Sequence, residues 1–211
     1  MKYYIAYGLG ILLAIDVHEF FHAWIADQLG DPTARYMGRI SLNPIVHLDP
    51  LGTMMMIMAM LSGRGIGWGK PVPVNPRNLR HGPRVGMGIV SFAGPLANLI
   101  TATVVGLPIR LGLHLPGTLS DFLWAVALIN IGLAIFNLIP LPPLDGYGVL
   151  QGLLASIRGL WSYRLSETLA SLERQGPILL LFLILIGSYF GLLGRFMDPL
   201  VRFFSKLILG V

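Results

Sequence analysis

The chain has 211 residues, of which 55% are hydrophobic and only 12% are charged. Its mean hydropathy of +0.72 is too apolar for a soluble domain of this length. The absence of cysteine excludes disulfides, thiolate zinc sites and thiol nucleophiles, so any metal would need His and carboxylate ligands. The net charge of +5 comes from basic residues in linkers between apolar runs, which is typical of a membrane protein and not of a nucleic-acid-binding surface. We therefore predict a membrane protein with no nucleic-acid partner.

Four apolar runs come close to the ~20 residues that a helix needs to cross a bilayer. These runs are residues 3–29, 85–113, 122–139 and 178–193. The tail at residues 195–211 alternates charged with apolar side chains, which is typical of an amphipathic helix lying on the membrane surface. We predict a single domain, residues 1–211, that is mostly α-helical and polytopic with about four transmembrane helices.

The connection at residues 33–80 is irregular. Residues 51–61 are apolar but, at ~1.5 Å per residue, only about 17 Å long, so we expect a re-entrant segment there. Residues 68–75 alternate Val with Pro, which blocks a helix and favours an extended edge with the amides of Val72 and Val74 free on one side. A rigid surface loop in polyproline geometry is the alternative, because that conformation needs no partner.

Basic residues are unevenly distributed among the loops. They crowd residues 35–84 and 158–174, whereas residues 114–121 contain no Lys or Arg. By the positive-inside rule, the two basic connections are cytoplasmic and both chain ends face the opposite side. The basic tail conflicts with that arrangement.

His18, Glu19 and His22 form an H-E-x-x-H motif within the first apolar run. On a helix, this spacing places both imidazoles on one face, one turn apart, within reach of a single zinc ion. Glu19 lies beside them and can accept a proton from a water molecule whose pKa the metal lowers toward ~7. Each ionisable group near the bilayer interior costs about 2.5–3.5 kcal/mol, which a divalent metal would offset. A polar cluster that packs helices is the alternative, but it would not require this spacing.

A catalytic zinc site of this kind needs a third protein ligand, often a carboxylate. Asp49, Asp121 and Asp145 are the candidates near membrane depth. We favour Asp145, because it closely follows the third predicted span and a run of helix-breaking prolines can aim its side chain inward: Pro140, Pro142 and Pro143. A simple turn or helix N-cap is the alternative interpretation of Asp145, and it is the preferred one for Asp49, which precedes a proline.

Three sequence elements carry a family resemblance: His18-Glu19-x-x-His22, Phe92-Ala93-Gly94-Pro95-Leu96-Ala97-Asn98, and Asn137-x-x-Pro140-x-Pro142-x-Leu144-Asp145-Gly146. Together they resemble the catalytic core of the site-2 protease family of intramembrane zinc metalloproteases, peptidase family M50. Because residues 114–121 are too few to hold an inserted domain, the chain resembles the minimal form of that family, without a PDZ or CBS domain.

The resemblance implies that Asp145 is the third ligand of one zinc ion per chain. It also places Asn98 near the site, where its side-chain amide could stabilise the tetrahedral oxyanion. In residues 35–75 it implies a membrane-associated β-hairpin that pairs with an unwound substrate strand. Val72, Val74 and Asn137 are the predicted substrate contacts.

We expect an intramembrane zinc metalloprotease that hydrolyses peptide bonds within or near transmembrane helices of membrane-protein substrates. Its partners are the lipid bilayer and the substrate helix, which must unwind to expose its carbonyl groups. The expected location is a prokaryotic cell membrane, with the active site toward the cytoplasmic side. The rival hypothesis is a metal-binding membrane transporter or receptor without hydrolytic activity, which would gain little from Glu19.

Overall fold

A computed structural model describes residues 2–62 and 68–210 of the chain, and these ranges are mostly helical. The α-helices in them are α1 (Lys2–Gln28), α2 (Thr33–Tyr36), α3 (Pro44–His47), α4 (Pro50–Ser62), α5 (Pro83–Arg110), α6 (Gly117–Asn137), α7 (Asp145–Ser156), α8 (Leu160–Glu173), α9 (Gly176–Tyr189) and α10 (Leu192–Leu209). A short 3-10 helix covers Pro76–Asn78.

Three helices are long and apolar enough to cross a membrane. They are residues Tyr7–Gln28 of α1, the whole of α5 and the whole of α6, which overlap the first three predicted spans. The fourth predicted span, residues 178–193, corresponds to α9, which has only 14 residues. This helix reaches spanning length only together with α8, from which it is bent by 79°. The chain is therefore a multi-pass membrane protein with three or four candidate spans.

The predicted β-hairpin in residues 35–75 is not supported. The described part of this region contains no β-strand, and residues 63–67 lie outside the described ranges. The extended pairing seen there is one isolated antiparallel bridge between Leu48 and Gly69. Prolines explain the difference in part, because a residue without an amide hydrogen cannot contribute to a ladder of strand hydrogen bonds.

Two short helices in the same region begin at polar caps. The Asn43 side chain accepts a hydrogen bond from the Ile45 amide at the start of α3. The Asp49 side chain accepts one from the Gly52 amide, at 2.8 Å, at the start of α4. In both cases a proline follows the cap at the first helical position, where its missing amide hydrogen costs nothing. The N-cap interpretation of Asp49 is therefore confirmed.

Helix α5 is the central element of the bundle, because it packs against α1, α6 and α7. Glycines bring α7 close to it: a β-carbon added to Gly88 on α5 would lie 2.9 Å from the α-carbon of Gly152 on α7. At such a separation the two backbones are in direct contact. This contact holds α7 on the same central helix that α1 packs against.

Helix α10 covers most of the predicted amphipathic tail. Its Ile208 and Leu209 are buried in a cluster with α5 and α6. A β-carbon added to Gly106 would lie 2.4 Å from the Leu209 side chain. The missing side chain at Gly106 therefore leaves space on α5 into which Leu209 of α10 packs. The tail is amphipathic as its sequence indicates, and its apolar C-terminal end packs on the helical bundle.

Candidate active site

The two histidines of the H-E-x-x-H motif lie one turn apart on α1, and both are buried. Asp145, the first residue of α7, faces them. Its Oδ2 lies 2.9 Å from the Nε2 of His18, and its Oδ1 lies 3.3 Å from the Nε2 of His22. One ligand atom from each of the three residues falls within 4.8 Å of the others. The structure thus brings together the three residues that we predict from the sequence to be metal ligands.

The chain between α6 and α7 accounts for the position of Asp145. Helix α6 ends at Asn137, and a proline-containing turn leads to α7. Gly146 packs directly against the end of α6, since a β-carbon added to it would lie 2.2 Å from the carbonyl oxygen of Leu138. The glycine therefore allows α7 to begin against the end of α6, with Asp145 directed at the two histidines.

Hydrogen bonds fix the orientation of both imidazoles. The Nδ1–H of His18 donates to the Oδ1 of Asn98 at 2.6 Å, and the Nδ1–H of His22 donates to the carbonyl oxygen of Val90 at 2.8 Å. Because both partners are acceptors, the hydrogen of each ring sits on Nδ1 and the Nε2 lone pair points toward Asp145. This is the tautomer that a histidine ligand needs.

The resulting arrangement fits a cation. With their hydrogens on Nδ1, the two imidazoles present Nε2 as a ligand atom beside the Asp145 carboxylate, and a divalent cation among these atoms would bind all three residues. The Oδ2 of Asp145 is buried and has no hydrogen-bond donor in the described structure. Two imidazole nitrogens and one carboxylate are a ligand set typical of catalytic zinc, which keeps its fourth position open. The residues present therefore fit the metal that the motif predicts.

Gly94 makes room for this centre from the side of α5. A β-carbon added to it would lie 2.4 Å from the Nε2 of His22 and 2.7 Å from the Cε1 of His18. No real β-carbon tolerates such distances, so this position must lack a side chain. The Gly94-Pro95 element identified in the sequence thus has a direct steric function beside the histidines.

Asn98 is fully buried and lies behind His18. Its Nδ2 donates to the carbonyl oxygen of Ala14 at 2.9 Å and to the Oδ1 of Asn130 at 2.8 Å. Both amide hydrogens are therefore used within the protein, and neither points to a position that a substrate oxygen could occupy. These contacts favour a role in orienting His18 and give no support to the predicted oxyanion role.

Asn130 is a component of the site that sequence reasoning missed. It is fully buried on α6, accepts from Asn98, and donates to the carbonyl oxygen of Val126 at 2.9 Å. Its signal in the sequence was an amide side chain in the middle of an apolar span, where an uncompensated polar group is costly. The asparagine pair connects α6 to the histidine helix.

Residues 68–75, which we call the strap, run across the base of the H-E-x-x-H motif. The Val72 amide donates to the Oε2 of Glu19 at 3.1 Å. The backbone amide of Val72, which the sequence predicts to be free for a substrate strand, is thus paired with the candidate catalytic base in this structure. The Val74 side chain packs against a buried cluster that includes Ala26 and Val90.

The third predicted substrate contact, Asn137, sits at the end of α6. Its Nδ2 donates to the carbonyl oxygen of Leu133 at 3.0 Å, and the side chain is half-buried. Its contact with substrate stays a prediction, as do those of Val72 and Val74.

Asp31 anchors the far end of the strap. Its buried carboxylate accepts hydrogen bonds from the Thr33 hydroxyl, the Asn75 amide and the Asn78 side chain. Burial alone would raise the pKa of Asp31, but these hydrogen bonds outweigh it and hold the pKa below its ordinary value. The ionised Asp31 carboxylate contributes its full stabilisation above the unfolded pKa of ~3.9. This stabilisation is lost as the pH falls through the lower pKa of the folded state.

A second buried polar pair connects the histidine helix α1 to α3. Asp16 and His47 are both buried, and the Nε2 of His47 lies 3.8 Å from the Oδ1 of Asp16. The same Nε2–H donates to the carbonyl oxygen of Ser41 at 2.8 Å. This contact docks α3 on α1 next to the motif.

Comparison with known proteins shows the family of this chain. The profile of peptidase family M50 matches residues 108–184, a stretch that includes Asp145. A Bacillus subtilis (strain 168) protein named "Putative zinc metalloprotease YwhC" is 35% identical over 208 residues, which cover 93% of this chain and 90% of the relative. No solved structure matches significantly.

Two mycobacterial proteins named "Putative zinc metalloprotease Rip2" match a smaller part of the chain. The protein from Mycolicibacterium smegmatis is 29% identical over 144 residues, and that from Mycobacterium tuberculosis (strain H37Rv) is 31% identical over 147 residues. Each match covers 67% of this chain and 54% of the relative.

A multi-pass helical bundle with a buried His, His and Asp cluster beside a glutamate defines a membrane metalloprotease. The chain belongs to peptidase family M50. The prediction of a membrane zinc metalloprotease is confirmed, and the rival class of non-hydrolytic transporters or receptors is not favoured.

Proposed function

We propose that this enzyme cleaves membrane-protein substrates within or near their transmembrane helices, using one zinc ion per chain held by His18, His22 and Asp145. The observation that carries the proposal is the buried cluster formed by these three residues, in which one ligand atom from each lies within 4.8 Å of the others. The histidines lie within the candidate span Tyr7–Gln28, which supports chemistry at membrane depth.

Zinc at this position supplies Lewis-acid polarisation of the scissile carbonyl and lowers the pKa of a water molecule toward ~7. Glu19 accepts a proton from the attacking water and returns it to the leaving amine, which is general base followed by general acid catalysis. Asn98 and the Val90 carbonyl hold the two histidines with their Nε2 atoms beside Asp145, where the three residues would hold the metal.

The substrate helix must unwind locally before it can react, because an intact helix uses its carbonyl groups in its own hydrogen bonds. Helix-breaking residues in the substrate span should therefore promote cleavage. The distribution of Lys and Arg supports an active site toward the cytoplasmic side. The bacterial origin of the relatives supports a prokaryotic cell membrane as its location.

The function is tested with the purified enzyme in lipid vesicles and a set of single-span test proteins, half of them with a Gly-Pro pair in the span. We expect one zinc per chain by metal analysis, and cleavage that is faster for the Gly-Pro set. Chelation should abolish cleavage, and added zinc should restore it. Cleavage that survives removal of the zinc would refute the proposal, and stoichiometric metal without cleavage of any test protein would favour the transporter or receptor hypothesis.

We also expect Asn98→Ala to weaken zinc binding by about 10–100-fold, because partners that orient a histidine ligand have effects of that size. An oxyanion role would instead lower turnover by roughly 10²–10³-fold and leave zinc affinity intact. Zinc titration of the purified variant separates the two outcomes. Asn98→Asp is the matched control, since its carboxylate still accepts from His18 and should retain more of the affinity.

A further inference from the structure

Arg39 is a buried cation that the proposed reaction does not use. Its side chain is only 5% exposed, and no carboxylate lies within ion-pair distance of it in the described ranges. One nitrogen, Nη2, donates to the carbonyl oxygen of Lys70 at 2.5 Å and to that of Pro71 at 3.3 Å, while Nε is buried without an acceptor. Burying a charge against two neutral carbonyls is costly, so this position is not explained by stability alone.

Both carbonyls that Arg39 contacts belong to the strap, just before Val72. The strap is held on the same side by the Lys70 amide, which donates to the carbonyl oxygen of His47 at 2.7 Å. Beyond Val72 it is held by the Asn75 amide, which donates to Asp31 at 2.6 Å. Val72 therefore lies in a short stretch of backbone that is fixed at both ends.

The fixed position of the Val72 amide also determines the orientation of the Glu19 carboxylate. The Val72 amide donates to the Oε2 of Glu19, and on the other side a β-carbon added to Gly69 would lie 3.7 Å from Oε1. The same β-carbon would lie 2.8 Å from the Ile15 side chain, so only glycine allows the strap to approach this closely. The carboxylate is enclosed between two points of the strap, which restricts its rotamers.

We propose that Arg39 is a positioning residue, which holds the strap so that the Val72 amide keeps the Glu19 carboxylate oriented for catalysis. This inference rests on the proposed role of Glu19. A carboxylate that is held by a backbone donor needs no reorganisation when the proton is transferred, and such preorganisation is a main source of catalytic rate.

The first test measures amide hydrogen exchange and does not depend on catalysis. Because Pro71 and Pro73 have no amide hydrogen, Val72 provides the one exchangeable backbone amide of residues 71–73. In protein labelled selectively at valine, the signal that disappears in Val72→Ala identifies it. We expect its exchange to become about tenfold faster in Glu19→Ala and in Arg39→Ala. The matched control is Arg35→Ala, whose exposed side chain pairs with Asp27 and not with the strap, and it should leave the rate unchanged.

The second test measures kinetics on the single-span test proteins. Arg39→Ala should lower kcat by about 10–100-fold with KM and zinc content unchanged, and added guanidinium should partly restore it. Val72→Pro, which lacks the amide donor, should lower kcat at least about tenfold more than Val72→Ala, which keeps the donor. In the double variant of Arg39→Ala and Val72→Pro, the losses should not add, because both changes remove the same contact.

An unchanged Val72 exchange rate in Arg39→Ala would overturn the inference, and so would equal kcat in Val72→Pro and Val72→Ala. A structural role alone would predict loss of zinc, or a raised KM, with no rescue by guanidinium. The two proposals fail differently. An active Glu19→Gln enzyme refutes the proposed function, whereas wild-type kcat in Arg39→Ala beside an inactive Glu19→Gln refutes only this inference.

Discussion

Replacing Glu19 by Gln should lower kcat by roughly 10²–10⁴-fold, the usual contribution of a general acid–base residue. The amide of Gln has almost the same shape as the carboxylate and retains an oxygen that can accept from Val72. It has no basicity near neutral pH, so it cannot accept the proton of the attacking water. Because Glu19 is not one of the three converging ligands, zinc content should stay at the wild-type level.

The measurement pairs cleavage of the single-span test proteins with metal analysis of the same preparation. Glu167→Gln is the matched control, because Glu167 is exposed on α8 and pairs with Arg84, away from the histidines. That variant should cleave at the wild-type rate. Residual activity near wild type in Glu19→Gln, or loss of zinc from it, would contradict the assigned role.

Replacing Gly94 by Ala should remove zinc and activity together, although it alters no ligand. The added β-carbon would lie 2.4 Å from the Nε2 of His22, the atom that would bind the metal. The imidazoles have no simple way to retreat, since Asn98 and the Val90 carbonyl hold both rings from behind. We expect zinc affinity to fall by at least about 10–100-fold, the loss typical of a disturbed ligand orientation.

Gly132→Ala provides the control for this substitution. Gly132 lies within α6, and a β-carbon added to it would meet nothing within 4 Å. Because Ala is a better helix former than Gly, that variant should be neutral or slightly stabilised. Zinc titration and thermal unfolding of the two variants decide the matter: equal behaviour of Gly94→Ala and Gly132→Ala would show that the steric argument is wrong.

The histidine pair was predictable because the information is local. Helical periodicity alone places His18 and His22 on one face, with no knowledge of the rest of the fold. Asp145 required more, since it comes from a distant part of the chain, yet the helix-breaking prolines before it favoured it over Asp49 and Asp121. Both parts of this prediction rest on properties of the backbone.

The features that sequence reasoning missed depend on contacts between distant residues. Arg39 was one basic linker residue among many, and nothing in its neighbourhood distinguished a buried guanidinium from a charge at the membrane surface. The occupied amide of Val72 was equally invisible, because its acceptor lies far away in sequence. The failure of the hairpin prediction had a local cause, since Asn43 precedes a proline and starts a helix next to the stretch expected to be extended.

The contact between Gly88 and Gly152 has a consequence for how the enzyme acquires its metal. Two ligands are on α1 and the third is on α7, and α7 is held by its close backbone contact with α5. The complete ligand set therefore exists only after the helices have assembled, so the free energy of metal binding adds to the stability of that assembly. Metal loading and helix docking are in this way one linked equilibrium, and the ion acts as the last tertiary contact of the fold.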